Sequence, residues 1–268
     1  MVLKSRRLGD VMTKNIEVVP YNYAWPDWFE KAAGEIRKTL NDDLLQIHHV
    51  GSTAVPNLAA KPIIDIIAVV KSGGGAVSLL ESAGFIYKGE FNIPFHYGFS
   101  KRGEIKINLH VYEEGHPEID LNLKFRDFLR SHPEYRTAYS NLKMALLQNP
   151  ASFEKNNSVF TGYNLGKNAF ISKIHELSGF DQLRMVKATH YDEWAFINQH
   201  ANETEVETGP NHIYLVFTKG IKIIGFVHVE FLEGQKVWIK DQFITEFLEE
   251  CLERCNAWLK SLGSVLQN

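Results

Sequence analysis

The stretch His48–Val70, HHVGSTAVPNLAAKPIIDIIAVV, decides the reading of this chain. It begins inside an apolar run, Leu44 to Val50, that has the length of a strand. Gly51-Ser52-Thr53 ends that run, and a loop of small residues follows. Ile63 to Val70 is then β-branched and almost wholly apolar, as expected of a strand covered on both faces. Lys61 stands just before this second run, and Asp65 interrupts it. Phosphate binding needs such a corner. Gly51 lets the backbone approach a ligand closely, and backbone amides with the Ser52 hydroxyl, Thr53 beside it, can donate to phosphate oxygens. Lys61 supplies positive charge. Asp65 can hold a divalent cation, Mg²⁺ or another, that bridges those oxygens. A plainer reading stays open beside this one: Gly-Ser-Thr is a common turn, and a lone Asp in an apolar strand can cap a neighbouring loop.

Upstream, a polar lead runs to about Asn15, and IEVVPYN reads as an extended entry ending at Pro20. Apolar residues at Trp28, Phe29, Ala32, Ala33, Ile36 and Leu40 predict a helix over Trp28 to Leu40. Trp25 and Trp28 read as core residues rather than base-stacking ones. Downstream, Ser72-Gly73-Gly74-Gly75 reads as a turn or link, and Ala76 to Ala83 as a short helix stopped by Gly84. Phe85–Tyr87, His96–Ser100 and Ile105–Tyr112 read as strands. The last alternates Ile105, Ile107, Leu109 and Val111 against Lys106, Asn108, His110 and Tyr112, so one face is buried and the other available. Helices are expected over Ile119–Ser131, Tyr135–Leu147 and Tyr163–Ser178, with a domain boundary at Ser178-Gly179.

Length and composition bound the rest. The 268 residues fit one large or two ordinary domains, and 44% apolar with 23% charged residues is ordinary globular usage. Charge is uneven: residues 1–180 carry a net +2 and residues 181–268 a net −5, which supports two modules. A formal charge of −3 gives no reason to expect general nucleic-acid binding. No apolar stretch is long enough to cross a bilayer, and the N-terminus lacks a secretory apolar segment, so a cytoplasmic protein is expected. The two cysteines, Cys251 and Cys255, lie one helical turn apart and read as small hydrophobes.

Five stretches, IEVVPYNYAWPDWF, HVGSTAVPNLAAKPIIDI, INLHVYEEG, LKFRDFLRSHPEYRTAYSNLK and YNLGKNAFI, resemble the GrpB family in order and spacing, over roughly residues 15–175. A related domain extends some dephospho-CoA kinases. The family is grouped by fold with the polymerase-β-like nucleotidyltransferases, so the resemblance implies an α+β domain over 1–179 with a mixed sheet and flanking helices. It implies that Gly51 and Ser52 contact a triphosphate and that Asp65 is a metal-binding carboxylate. The pattern departs from the active enzymes at Ile67, where a second carboxylate usually stands, and at Asn108 and His110, where a third is usually offered. His110 is expected to serve as base or ligand.

Other candidates around the ligand are His48, Asn108, Arg126, Tyr163 and Lys167, with His96 and Lys106 weaker. Tyr163 and Lys167 are four apart and share a helical face. Arg126 and Lys143 lie on helices, where a solvated salt bridge is the default expectation.

Residues 180–268 read as strand Gln182–Lys187, helix Tyr191–His200, a polar loop Glu203–Asn211, a hairpin of Ile213–Thr218 and Ile221–Phe231, a short strand Val237–Ile239 and an amphipathic helix Phe243–Leu259. The order resembles the first half of a GNAT acetyltransferase. Its pyrophosphate loop is replaced here by KDQFITEF, which has no glycine. The expectation is a truncated GNAT-like α/β module without acetyl transfer, whose missing strands leave a sheet edge open to another chain, and hence a homo-oligomer. Two functions are carried forward. One is a nucleotidyltransferase-like protein binding a small phosphate or nucleotide ligand with a divalent metal. The other is a degenerate binding or folding-accessory module without turnover.

Overall fold

The computed structural model describes residues 16–154, 161–202, 206–233, 236–263 and 265–266. The polar lead through Asn15 and part of the Glu203–Asn211 loop lie outside the described residues. Helix α1 (Trp25–Leu40) starts with Pro26 and Asp27 in its first turn and ends with Arg37 and Lys38 in its last, each suited to the helix dipole. Strand β1 (Leu44–Val50) runs antiparallel to β2 (Ile64–Val70). After α2 (Gly73–Ser82) come β3 (Ile86–Gly89), β4 (Tyr97–Lys101) and β5 (Ile107–Glu113). They form one mixed sheet of order β1-β2-β5-β4-β3, in which β2 and β5 are parallel.

Both faces of β2 are covered, as its composition predicts. Ile64, Ile66, Ala68 and Val70 join Ile36 and Leu40 of α1 and Ala76 and Leu80 of α2 in one core. Ile67 and Val69 face the other way, with Val50 and Tyr112, against Ile119 and Leu123 of α3 (Pro117–Ser131). The pairing Asp65↔Asn108 and Ile67↔His110 sets which polar groups become neighbours. Helices α4 (Pro133–Leu147), α5 (Gly162–Leu165) and α6 (Asn168–Leu177) complete this part.

The second sheet has the order β10-β9-β8-β7-β6. Its strands are β6 (Leu183–Lys187), β7 (His212–Lys219), β8 (Lys222–Phe231), β9 (Lys236–Ile244) and β10 (Val265–Leu266). Helix α7 (Tyr191–His200) covers one face through Ile197. Helix α8 (Leu248–Ser261) covers the other through Cys251, Cys255, Trp258 and Leu259. Burial pushes the two thiols up to about 11 and about 12, so both are inert packing groups. The sheets are stitched together by polar contacts. The Glu90 carboxylate accepts from Lys187 Nζ at 2.7 Å and from Trp258 Nε1 at 3.1 Å. Glu118 accepts from Arg184 Nε at 2.7 Å.

Several sequence expectations are corrected. Gly73–Gly75 are the first turn of α2, capped by the Ser72 hydroxyl, which accepts from the Gly75 amide. Tyr112 is 2% exposed, because α3 closes the face expected to be available. The helix expected over Tyr163–Ser178 breaks into α5 and α6. The break falls at Gly166, the C-cap of α5, packed against Leu146, and at Lys167, the N-cap of α6. Val237–Ile239 is part of the longer β9, which takes in Phe243, so the amphipathic helix starts only at Leu248. Val265 and Leu266 pair in parallel with Lys236 and Val237, so a short strand covers the start of the β9 flank. Among the described residues no helix is long and apolar enough to cross a membrane.

Candidate functional site

The β1–β2 corner is shaped by Gly51, whose φ is +69°. A Cβ there would come within 2.5 Å of Asp65 Oδ2, so only glycine lets the corner fold down onto the acid. Ser52 and Asp65 thereby line one cavity of about 120 Å³, together with Thr53, Lys61, Ile63, Asn108, Tyr139, Lys143, Tyr163 and Lys167.

Three ammonium groups line this cavity against a single carboxylate. Lys143, on α4, is 3% exposed. Its Nζ donates to Ser52 Oγ at 3.1 Å and to the Ala59 carbonyl, and lies 4.4 Å from the Tyr139 ring centre. Lys61 and Lys167 both sit on the Tyr163 ring, at 4.4 and 4.7 Å from its centre. Burial, with Lys167 nearby, brings Lys143 down to about 7. Burial and Lys61 bring Lys167 down to about 8. Burial also lowers Lys61, against the pull of Asp65. Tyr163 is pushed up to about 12 by burial.

Asp65 is raised by desolvation, although the hydrogen bond from Asn108 and the charges of Lys167, Arg102 and Lys61 oppose this. Its Oδ1 accepts from Asn108 Nδ2 at 2.8 Å, and Asn108 Oδ1 accepts from Arg102 Nη2 at 2.7 Å. Its Oδ2 faces Gly51. Divalent hard cations require several oxygen ligands. One carboxylate already turned to protein partners, ringed by ammonium groups, does not fit a resident Mg²⁺.

The remaining candidates separate. Thr53 lines the cavity, but its hydroxyl is closed on the Ile63 carbonyl at 3.2 Å and His49 Nε2 at 3.0 Å. His48 and Arg126 line a different cavity of about 350 Å³, with Tyr21, Phe29, His49 and Arg130. There Arg126 is held by the His49 carbonyl at 3.0 Å and by Asp127 at 2.7 Å. His110 is not among the residues lining the Asp65 cavity. Its Nδ1 meets His96 Nε2 at 3.0 Å, and His96 Nδ1 meets the Glu90 carbonyl at 3.1 Å. Burial lowers His110 to about 4 and His96 to about 3. Lys106 contributes its carbonyl to the Ile64 amide.

Tyr139 and Lys143 are site residues that the sequence reading did not place there; the solvated helix face expected for Lys143 is a buried one. A signal was present, since Tyr139/Lys143 and Tyr163/Lys167 repeat the same four-residue spacing. One further donor group stands in the second sheet. Glu207, His212 and His228 bring ligand atoms within 4.8 Å of one another. Lys240 Nζ already takes the Glu207 carboxylate at 2.6 Å, and His228 Nδ1 is buried without a hydrogen-bond partner. That is a poor outer shell for a metal.

A family profile described as GrpB protein matches residues 15–177. UPF0157 protein YqkA of Bacillus subtilis is 33% identical over 171 residues, 61% of this chain and 47% of that protein, so the chain spans about half of its length. A UPF0157 protein of Halalkalibacterium halodurans is 37% identical over 151 residues, 54% of this chain and 77% of its own. Among solved structures, the crystal structure of conserved protein GrpB from Enterococcus faecalis is similar with a TM-score of 0.54 at 34% identity. That likeness covers 60% of this chain and 96% of that one.

Proposed function

We propose that this chain, which belongs to the GrpB family, uses the lysine-lined cavity to hold the phosphate group of a small metabolite. The observation that carries the reading is the excess of three buried or half-buried ammonium groups over one carboxylate around an open volume. Buried charge of one sign is costly unless a partner arrives. A phosphate dianion matches the charge and, at about 120 Å³, the space. Ser52 and Asn108 add hydrogen-bonding groups on the same walls. The reading needs no resident cation, since Lys61, Lys143 and Lys167 themselves supply positive charge to the cavity.

The finer readings are proposals on the same basis. The nucleotidyltransferase-like fold over 1–179 is supported by the mixed sheet and by the Gly51-Ser52 corner facing Asp65. Nucleotidyl transfer itself is the narrower form of the function. The hydrophobic Ile67, and His110 turned to His96, favour a site that holds its ligand over two-metal transfer. A GNAT-like identity for 180–268 is supported by four antiparallel strands, a helix and a parallel fifth strand.

Titration calorimetry with inorganic phosphate, pyrophosphate and ATP, each with and without Mg²⁺, tests the reading. Saturable binding that does not require Mg²⁺, and that weakens at least tenfold in the Lys61→Met/Lys167→Met double variant, is expected. Absence of binding by all three ligands overturns it, and binding only with Mg²⁺ restores the metal-centred form.

A further inference from the structure

The geometry points to Ser52 and Lys143 as a nucleophile–base pair that accepts a phosphoryl group onto Ser52, a step that rests on the phosphate reading of the cavity. Serine is a weak nucleophile until a neighbouring base takes its proton. A lysine can be that base when it is neutral, and lysine becomes neutral where burial and other cations disfavour its charge. Lys143 meets these conditions. It is 3% exposed, its Nζ lies 3.1 Å from Ser52 Oγ, and Lys167 shares its cavity. Its lowered affinity for the proton, to about 7, agrees with that placement. A neutral amine has two N–H groups and one lone pair. One N–H then donates to the Ala59 carbonyl, and the lone pair accepts from the Ser52 hydroxyl, the reverse of the charged form, in which Nζ donates to Oγ. Tyr139 packs beneath the amine and fixes it.

The co-reactant class is an activated phosphoryl donor, either a phosphoric anhydride or an acyl phosphate. Ser52 Oγ attacks the terminal phosphorus. The Oγ–P bond forms while the bond from phosphorus to the leaving oxygen breaks, and that electron pair departs with the leaving anion. The hydroxyl proton passes to Lys143 Nζ. The products are phosphoserine at position 52, the free leaving anion, and a charged Lys143 that faces the new dianion together with Lys61 and Lys167. Phosphoryl transfer asks chiefly for positioning and charge compensation, which three lysines supply.

The experiment incubates the full chain with acetyl phosphate and, separately, with ATP, followed by intact-mass measurement and peptide mapping. One phosphoryl group on Ser52 is expected from at least one donor, with none in Ser52→Ala. Labelling accelerates as pH rises through about 7. Lys143→Arg keeps the positive charge but cannot serve as a base. With donor at saturating concentration, so that weaker binding does not limit the rate, it is expected to slow labelling about a hundredfold and to abolish its rise with pH. Lys143→Met, a smaller change of shape, gives the same loss of label, and circular dichroism of both variants checks folding. Undiminished labelling in Lys143→Arg makes Lys143 a strut and overturns the pair. Phosphate binding without label from either donor overturns the transfer and leaves the phosphate pocket standing. No phosphate binding at all removes both.

Discussion

Two buried polar clusters lie on the same face of the first sheet, two residues apart along β5, and they are built in opposite ways. Asn108 belongs to the lysine cavity, and His110 to the junction with the second sheet. At the junction, charge is cancelled from within: Glu118, 5% exposed, is paired with Arg184, and the histidines stay neutral in a hydrogen-bonded chain. His116 continues the pattern, meeting the Pro94 carbonyl at 3.1 Å and the Glu118 amide at 3.2 Å. The cavity keeps an uncancelled positive charge around open space. Polar groups that satisfy one another hold a fold together, whereas a surplus of one sign around a void waits for something to bind.

Arg184→Ala strikes the junction hardest. It leaves Glu118 buried without its partner, and a loss of about 3 kcal/mol in urea unfolding is expected. A change near zero would make the junction as unsatisfied as the cavity and erase the contrast. Gly51→Ala comes next. The added methyl meets Asp65 in a backbone conformation that disfavours side chains, at a cost of about 2 kcal/mol. Phosphate binding should fall with it, since Asp65 must move.

Lys143→Met has the opposite sign. Removing an unmatched buried ammonium should raise the ligand-free melting temperature, by about 1 kcal/mol of stability, while reducing the further rise given by phosphate. Destabilisation instead would mean that Lys143 is cancelled internally, as Glu118 is.

A pair of pH slopes sharpens the same comparison. His49, His96, His110 and His175 are lowered by burial to about 4, 3, 4 and 4 from an ordinary 6.5. Below 6.5 the unfolded chain takes protons that the folded chain refuses, so stability falls as pH drops from there toward 4. Lys143 and Lys167 titrate at about 7 and 8 instead of 10.5. The unfolded chain therefore also holds extra protons between these values, and stability rises as pH climbs from 7 toward 10.5. Added phosphate favours the charged lysines and should flatten only this alkaline slope. Melting curves against pH, with and without phosphate, separate the two; an unchanged alkaline slope would detach the lysines from the ligand.

Much of the first sheet was legible because its strands announce themselves locally. Ile63–Val70 is apolar on both faces, and Ile107, Leu109 and Val111 alternate with polar neighbours. The corner at Gly51 was readable as a turn, but whether it was a plain turn or one facing Asp65 stayed open until Asp65 Oδ2 was placed against Gly51. Tertiary packing hid the rest. Lys143 looks like any exposed helix lysine until α4 is laid across the Ser52 loop. His110 and Asn108 look equivalent until β4 brings His96 to one of them and the loop after it brings Arg102 to the other. The break at Gly166 and Lys167 lies where the chain packs against Leu146, a contact no local pattern reveals.

Ser52 and Lys167 line the same cavity although roughly a hundred residues of chain separate them, so their meeting demands a costly loop closure. The cavity therefore exists only while these distant segments are docked together. Any anion it captures can recognise only the finished arrangement, and would act as a clasp that slows the reopening of α4 and α5 from the sheet.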